Sequence, residues 1–171
     1  MSPNLPDQLD PWRMVSAQRL FEGRLELAEL PRLAGLLADR KGEIAYRISF
    51  DRDAMQIAYA TLEIEAALPL ECQRSLESFE LPVRIDQRIA FIRDEAEEAA
   101  LPEGYEAWLV DASDVISPRD LIEDELILVV PAIPVKPGTE AMAAEWSPDE
   151  KEVAAANPFA ALAALRRDQK E

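Results

Sequence analysis

Histidine is absent from this chain, and cysteine occurs once in 171 residues, as Cys72. Without an imidazole there is no Ser-His-Asp or Cys-His relay, and the commonest general base is missing. A single cysteine rules out an intrachain disulfide. With no histidine to join it, a zinc site built within this chain is disfavoured, because zinc takes Cys and His ligands. Glycine is scarce, five residues, and none sits in the spacing that cradles phosphate. No run approaches the roughly 18 consecutive apolar residues a membrane helix needs. The start, MSPNLPDQLDPW, has neither the basic nor the apolar region of a secretory signal. The expected location is therefore the cytoplasm, with no membrane partner. Basic residues are few as well: 18 against 34 acidic ones, a formal charge of −16. That sign opposes phosphate backbones, which bind by exchanging counterions for Lys and Arg, and it attracts basic partners.

What remains is apolar enough to fold. Apolar residues make up 49% of the chain, too many for general disorder. A domain of this length buries roughly 70% of its unfolded surface without a metal or disulfide staple. The pattern divides into one domain over 1–135, a mobile loop over 136–156, and a C-terminal helix and tail over 157–171. Residues 1–11, with Pro3, Pro6 and Pro11, read as an extended arm.

The fold class expected is α+β. It comprises an antiparallel, meander-like sheet, either open or closed into a barrel, with a few packing helices. Arg19–Leu27 alternates as a strand, and Leu30, Leu33, Leu36 and Leu37 form one stripe of a helix over Glu29–Asp39. Gly42 sits where a helix C-terminus wants glycine. Ile44, Tyr46, Ile48 and Phe50 alternate, then Leu62, Ile64, Ala66 and Leu68, with a turn at Asp51–Asp53 and a bulge near Tyr59–Thr61 where the phase slips. Glu71–Ser75 reads as a turn. Phe79, Leu81, Val83 and Ile85 continue the sheet through Ile89 and Phe91, and Pro82 suits an edge. Asp94–Glu106 reads as an acidic linker, and Trp108–Val110 as one more strand.

The segment Leu121–Val135, LIEDELILVVPAIPV, is a unit of its own. Ser117 caps, Pro118 starts the helix, and Asp120, Glu123, Asp124 and Glu125 meet the positive end of its dipole. Leu126–Val130 reads as a buried end, and Pro131 stops the helix.

Little of this carries chemistry. The acidic clusters have solvation or helix-start readings. Cys72 reads as a small buried hydrophobe whose pKa Arg74 could lower. Contact is the better expectation. Asn157-Pro158 opens a short helix whose face, Phe159 and Leu162 with Leu165, ends in Arg166 and Arg167. It either docks on its own core or engages a partner groove. Arg13, Arg19, Arg24, Arg32, Arg40 and Lys41 make the first quarter comparatively basic, and sharing a face they would reach RNA. Of these Arg13, Arg19 and Arg24, together with Arg74 and the face and end of that helix, are the candidate partner-binding residues. No catalytic, cofactor or metal residue stands out.

Several short motifs hold their order along nearly the whole chain. They are Asp10-Pro11-Trp12-Arg13 with Leu20 and Gly23, Leu70-Glu71-Cys72-Gln73-Arg74, Leu101-Pro102-Glu103-Gly104-Tyr105, Leu121–Val135, and Asn157-Pro158-Phe159-Ala160 with Leu162 and Leu165. Through them the chain resembles the YceD family, the large ribosomal RNA subunit accumulation proteins of bacteria and plastids. The resemblance implies a non-catalytic ribosome biogenesis factor. It would support synthesis, processing or stability of large-subunit ribosomal RNA by binding that RNA or a pre-ribosomal particle. The alternative is an acidic escort for a basic ribosomal protein or processing enzyme, affecting the RNA indirectly. Family members typically carry C-x-R-C and a His or Cys pair after the proline exit, a possible zinc site. Here the first motif is Cys72-Gln73-Arg74-Ser75 and no ligand follows Pro134. The expectation is a metal-free fold, with Ile133 and Val135 packing near Cys72 to close the junction.

Overall fold

The computed structural model describes residues 5–111 and 114–139. The chain divides into two compact units, Met1–Pro137 and Gly138–Glu171. The second lies almost wholly outside the described residues.

Asp10 accepts the Arg13 N–H at 3.0 Å and Pro11 occupies the first turn of a short helix, α1 (Pro11–Ser16). A capping acid followed by proline starts a helix because the acid takes an N–H that lacks a partner and proline has none to lose. The arm before it is extended but anchored. Leu5 and Leu9 are buried, and Leu9 exchanges backbone hydrogen bonds with Ile116 at 2.9 and 2.8 Å.

Five strands follow: β1 (Leu20–Glu26), β2 (Glu43–Arg52), β3 (Ala58–Glu71), β4 (Ser78–Ile92) and β5 (Glu106–Leu109). Their spatial order is their chain order. The first three pairings are antiparallel, whereas β5 runs parallel to β4, with Ile89 opposite Glu106 and Ile92 opposite Leu109. The sheet is therefore mixed, and it stays open, with β1 and β5 at its ends. The parallel pair corrects the expected antiparallel meander, and of the two forms left open, the sheet takes the open one. A parallel neighbour needs a crossover of about a dozen residues, and the acidic segment 93–105 supplies it. That segment also contains a helical turn, α2 (Glu95–Glu98), whose Asp94 cap accepts the Ala96 N–H.

The period-2 pattern sets the faces. Ile44, Tyr46, Ile48 and Phe50 of β2 point inward beside Ala58, Ala60, Leu62, Ile64, Leu68 and Leu70 of β3. No bulge interrupts β3: the register from Ala58 to Ala66 against β2 is unbroken, and small alanines carry the inward phase where bulky residues were sought. The turn between β2 and β3 lies at 53–57 rather than 51–53. There Asp53 accepts the N–H groups of Met55 and Ile57, both at 2.9 Å. Pro82 sits where β4 has no partner on its outer side, since β5 reaches only Ile89–Ile92.

The inward face is covered by α1, by the segment after β1 and by α3 (Pro118–Val129). The expected helix over Glu29–Asp39 is instead two 3₁₀ turns, Leu27–Glu29 and Leu33–Gly35. Pro31 removes a donor from the run and Gly35 weakens it. Leu30 and Leu33 are buried, while Leu36 is exposed. In α3, Ser117 accepts the Asp120 N–H at 3.2 Å, and Leu121, Ile122 and Leu126 enter the core. Its apolar end is not all core. Leu128 is 75% exposed, Val129 is exposed too, and Ile133 is 68% exposed. At 100° per residue, Leu128 points away from the side that Leu126 buries. Val130, which precedes Pro131, is extended at φ −66° and ψ 119° and ends the helix.

Candidate functional site

The four described arginines singled out from the sequence do not share a face. Arg13 and Arg19 line one hollow of about 490 Å³ with Leu9, Asp10, Met14 and Phe21. The Arg19 guanidinium lies 5.8 Å above the Phe21 ring. Arg24 sits on the outer face of the sheet and is tied to Glu43 at 2.6 Å. Arg74 belongs to the β3–β4 turn. Leu20 is level with Thr61, and the β3–β4 turn follows Glu71, so Arg19 and Arg74 are about 30 Å apart along the strands at some 3.3 Å per residue. Phe159, Leu162, Leu165, Arg166 and Arg167 lie outside the described residues.

The outer face of the sheet is a lattice of opposite charges. Arg47 approaches Glu22 at 3.8 Å and Arg84 approaches Glu65 at 3.6 Å, beside the Arg24–Glu43 pair. Exposed pairs of this kind add little stability, but they neutralise the arginines locally.

A different pair of arginines meets across a second hollow, of about 380 Å³, between α1, the β2–β3 turn and the start of the crossover. Trp12 and Phe91 stand edge to face, 6.2 Å between centroids. Arg93 lies over the Trp12 ring at 4.5 Å, and Arg52 donates to the Gln56 carbonyl at 2.9 Å. Among the described residues neither guanidinium is ion-paired. Glu97 stands on the rim and accepts the Arg93 backbone N–H at 3.1 Å. Sequence reasoning placed Trp12 in a motif but missed Arg52 and Arg93, because one ends a strand and the other opens the crossover. Only the sheet brings them to the same place.

The proline exit of α3 closes on the β3–β4 turn. Gln73 donates its N–H to the Pro134 carbonyl at 2.9 Å, the Lys136 N–H points at Cys72 Sγ at 3.3 Å, and Lys136 Nζ pairs with Glu77 at 2.8 Å. The Ser75 N–H also approaches the sulfur, at 3.5 Å. Backbone donors and one ion pair join the two segments; of the two residues expected to pack there, Ile133 is exposed and Val135 is half-buried. The Lys136 N–H, aided by Ser75, lowers the Cys72 pKa to about 6, while burial opposes this. Arg74 contributes only through its backbone, so the expected effect of its side chain is not the cause. One thiol ringed by amide donors does not fit zinc. Among the described residues no group of three or more His, Cys, Asp or Glu could hold a metal.

Two carboxylates of α3 are buried. Glu123 accepts the N–H groups of Arg32 and Leu33 and the Arg32 side chain, so it caps a neighbouring turn rather than serving its own helix dipole. Burial pushes the Glu125 pKa up, and the charges of Glu106 and Asp124 push it further.

Comparison with known proteins adds a family to this geometry. The family model described as large ribosomal RNA subunit accumulation protein YceD matches residues 60–166. A Haemophilus influenzae protein named large ribosomal RNA subunit accumulation protein YceD is 26% identical over 169 residues, covering 95% of this chain and 97% of its own length. No solved structure matches. Among the described residues no helix is long and apolar enough to cross a membrane.

Proposed function

We propose, for a chain that belongs to the YceD family of large ribosomal RNA subunit accumulation proteins, that it is a non-catalytic ribosome biogenesis factor. It acts in the cytoplasm and supports synthesis, processing or stability of large-subunit ribosomal RNA by binding. The observation that carries this reading is the near full-length match to a relative of that name. The chemistry of the chain agrees with a binding role. Histidine is absent, and the buried acids of α3 have structural partners or neighbours rather than an approach to a reacting group. A cell lacking the protein should hold less large-subunit ribosomal RNA relative to small-subunit RNA. Unchanged amounts of both would overturn the proposal.

One observation favours a second reading, an acidic escort for a basic ribosomal protein or processing enzyme. The net charge is −16, Arg24 is ion-paired on the outer face, and Arg74 lies far along the sheet from Arg13 and Arg19, so the four make no single basic face. Binding to large-subunit RNA fragments that weakens steeply with salt supports direct contact. A stable complex with the basic protein and no RNA binding supports the escort. In either case removal of residues 157–171, the candidate contact helix, should abolish partner binding and leave the fold intact. A truncated chain that unfolds would assign that segment to the core.

A further inference from the structure

The hollow between α1 and the β2–β3 turn sets two guanidiniums against an aromatic wall. Its volume of about 380 Å³ falls in the range of a single small ligand. Its wall is aromatic and apolar, made by Trp12, Phe91, Ile57 and Leu101. On it stand two guanidiniums that have no carboxylate partner among the described residues, in a chain with 34 acidic residues to find one from. The Arg93 guanidinium already lies over the Trp12 ring at 4.5 Å, which leaves its outer face as a flat cationic platform. Arg52 is held by the Gln56 carbonyl, which fixes where its other donors point.

We propose that this hollow holds one unpaired nucleotide of RNA, its base stacked on Arg93 above Trp12 and its phosphate paired with Arg52. A base fits because it has a π-face for the stack, and its phosphate supplies the missing anion. The acids nearby set the limit to one nucleotide. Glu97 is on the rim, with Asp94, Glu95 and Glu98 on the same helical turn. They repel the continuous phosphate ladder of a duplex but not a single flipped unit. The inference rests on the RNA-directed reading above and supplies the contact that the dispersed arginines do not.

The test uses the full-length protein with a fluorescent single-stranded RNA of mixed sequence, and the same sequence as a duplex. The expected result is preferential binding of the single strand with quenching of tryptophan emission. The double variant Arg52→Ala/Arg93→Ala should weaken binding about tenfold or more. Arg93→Lys keeps the charge, and so should retain the salt dependence while losing most of the stacking gain. Arg24→Ala, on the other face of the sheet, serves as a control and should change little. Both hollow arginines are exposed, so the variants should melt like the parent. Equal binding by the double variant, equal binding of duplex, or no binding of either RNA overturns the site. So does a double variant that loses a basic ribosomal protein instead of RNA. A cell carrying the double variant separates the two claims. If large-subunit RNA stays normal there but falls when the protein is absent, the site fails and the proposed function stands. If it stays normal in both, the function fails.

Discussion

Glu123 Oε1 accepts the Arg32 backbone N–H at 2.6 Å while its Oε2 accepts Arg32 Nε at 2.8 Å, across 91 residues of chain. The same Oε1 takes the Leu33 N–H at 3.0 Å. One buried carboxylate, 2% exposed, thus supplies the N-terminal cap that the second 3₁₀ turn lacks in its own sequence. It also joins α3 to the segment after β1. Arg32 reaches further, to Asp124 at 2.6 Å.

Glu123→Ala should therefore cost about 1–3 kcal/mol, because it leaves the buried Leu33 N–H without an acceptor, while the half-exposed Arg32 donors can turn to water. Glu123→Gln keeps an acceptor and should cost less. Denaturant unfolding of the three proteins measures the order. Equal stability of all three would show that the contact contributes nothing.

Cys72 is tied to the proline exit, and its pKa of about 6 gives that tie a pH dependence. A thiol whose pKa is lower in the folded chain than in the unfolded one adds stability that is fully present above the unfolded value. That stability is lost as pH falls through the folded one. The difference in melting temperature between the parent and Cys72→Ala should accordingly be several degrees at pH 9 and shrink toward pH 5. Thermal scans across that range check it, and a constant difference would contradict it. Cys72 has no exposed surface, so alkylation in the native state should remain slow even where the thiolate dominates.

Glu125 runs in the opposite sense. Burial and the neighbouring Glu106 and Asp124 raise its folded pKa, so its contribution is favourable at low pH and is lost as pH rises through that raised value. Glu125→Gln should raise the melting temperature by a few degrees at neutral pH and do little below pH 4. A variant that melts lower at neutral pH would mean that the carboxylate has an attractive partner.

Gly23 faces the Tyr46 side chain so closely that a Cβ there would stand 2.7 Å from the phenolic oxygen and 3.1 Å from Cζ. Gly23→Ala should cost about 1–3 kcal/mol by overpacking. Tyr46→Phe in the same chain should recover part of the loss, because it removes the nearest atom. Additive effects in the double variant would dismiss the contact as the cause.

Much of the sheet was legible in the sequence because alternation at period 2 survives along β2 and most of β3 and β4, failing only where Ile89–Ile92 of β4 are buried on both faces. Ile44 to Phe50 and Leu62 to Leu70 present one face as written. Helix α3 was legible for a local reason too: Ser117 and Pro118 carry their own cap and start. The same signal stands at Asp10-Pro11, where α1 is so short that its start looked like the end of an arm. The 29–39 stripe misled because leucines at helical spacing say nothing of the donor that Pro31 lacks. The parallel β5 was out of reach, since strand direction depends on which edge a crossover returns to.

The sequence by itself determined the mixed α and β content, the inward face of each strand, the ends of α3 and the absence of imidazole chemistry. These depend on residues within a few positions of one another, where period, capping and proline act. Only the tertiary structure decided which charges are buried, paired or left open. Glu123 finds its donors 91 residues away, and Arg24 is neutralised by the neighbouring strand. Trp12, Arg52 and Arg93 reach one hollow from three separate elements. An electrostatic contact depends on distance through space, and distance through space is set by the packing of the sheet rather than by position in the chain.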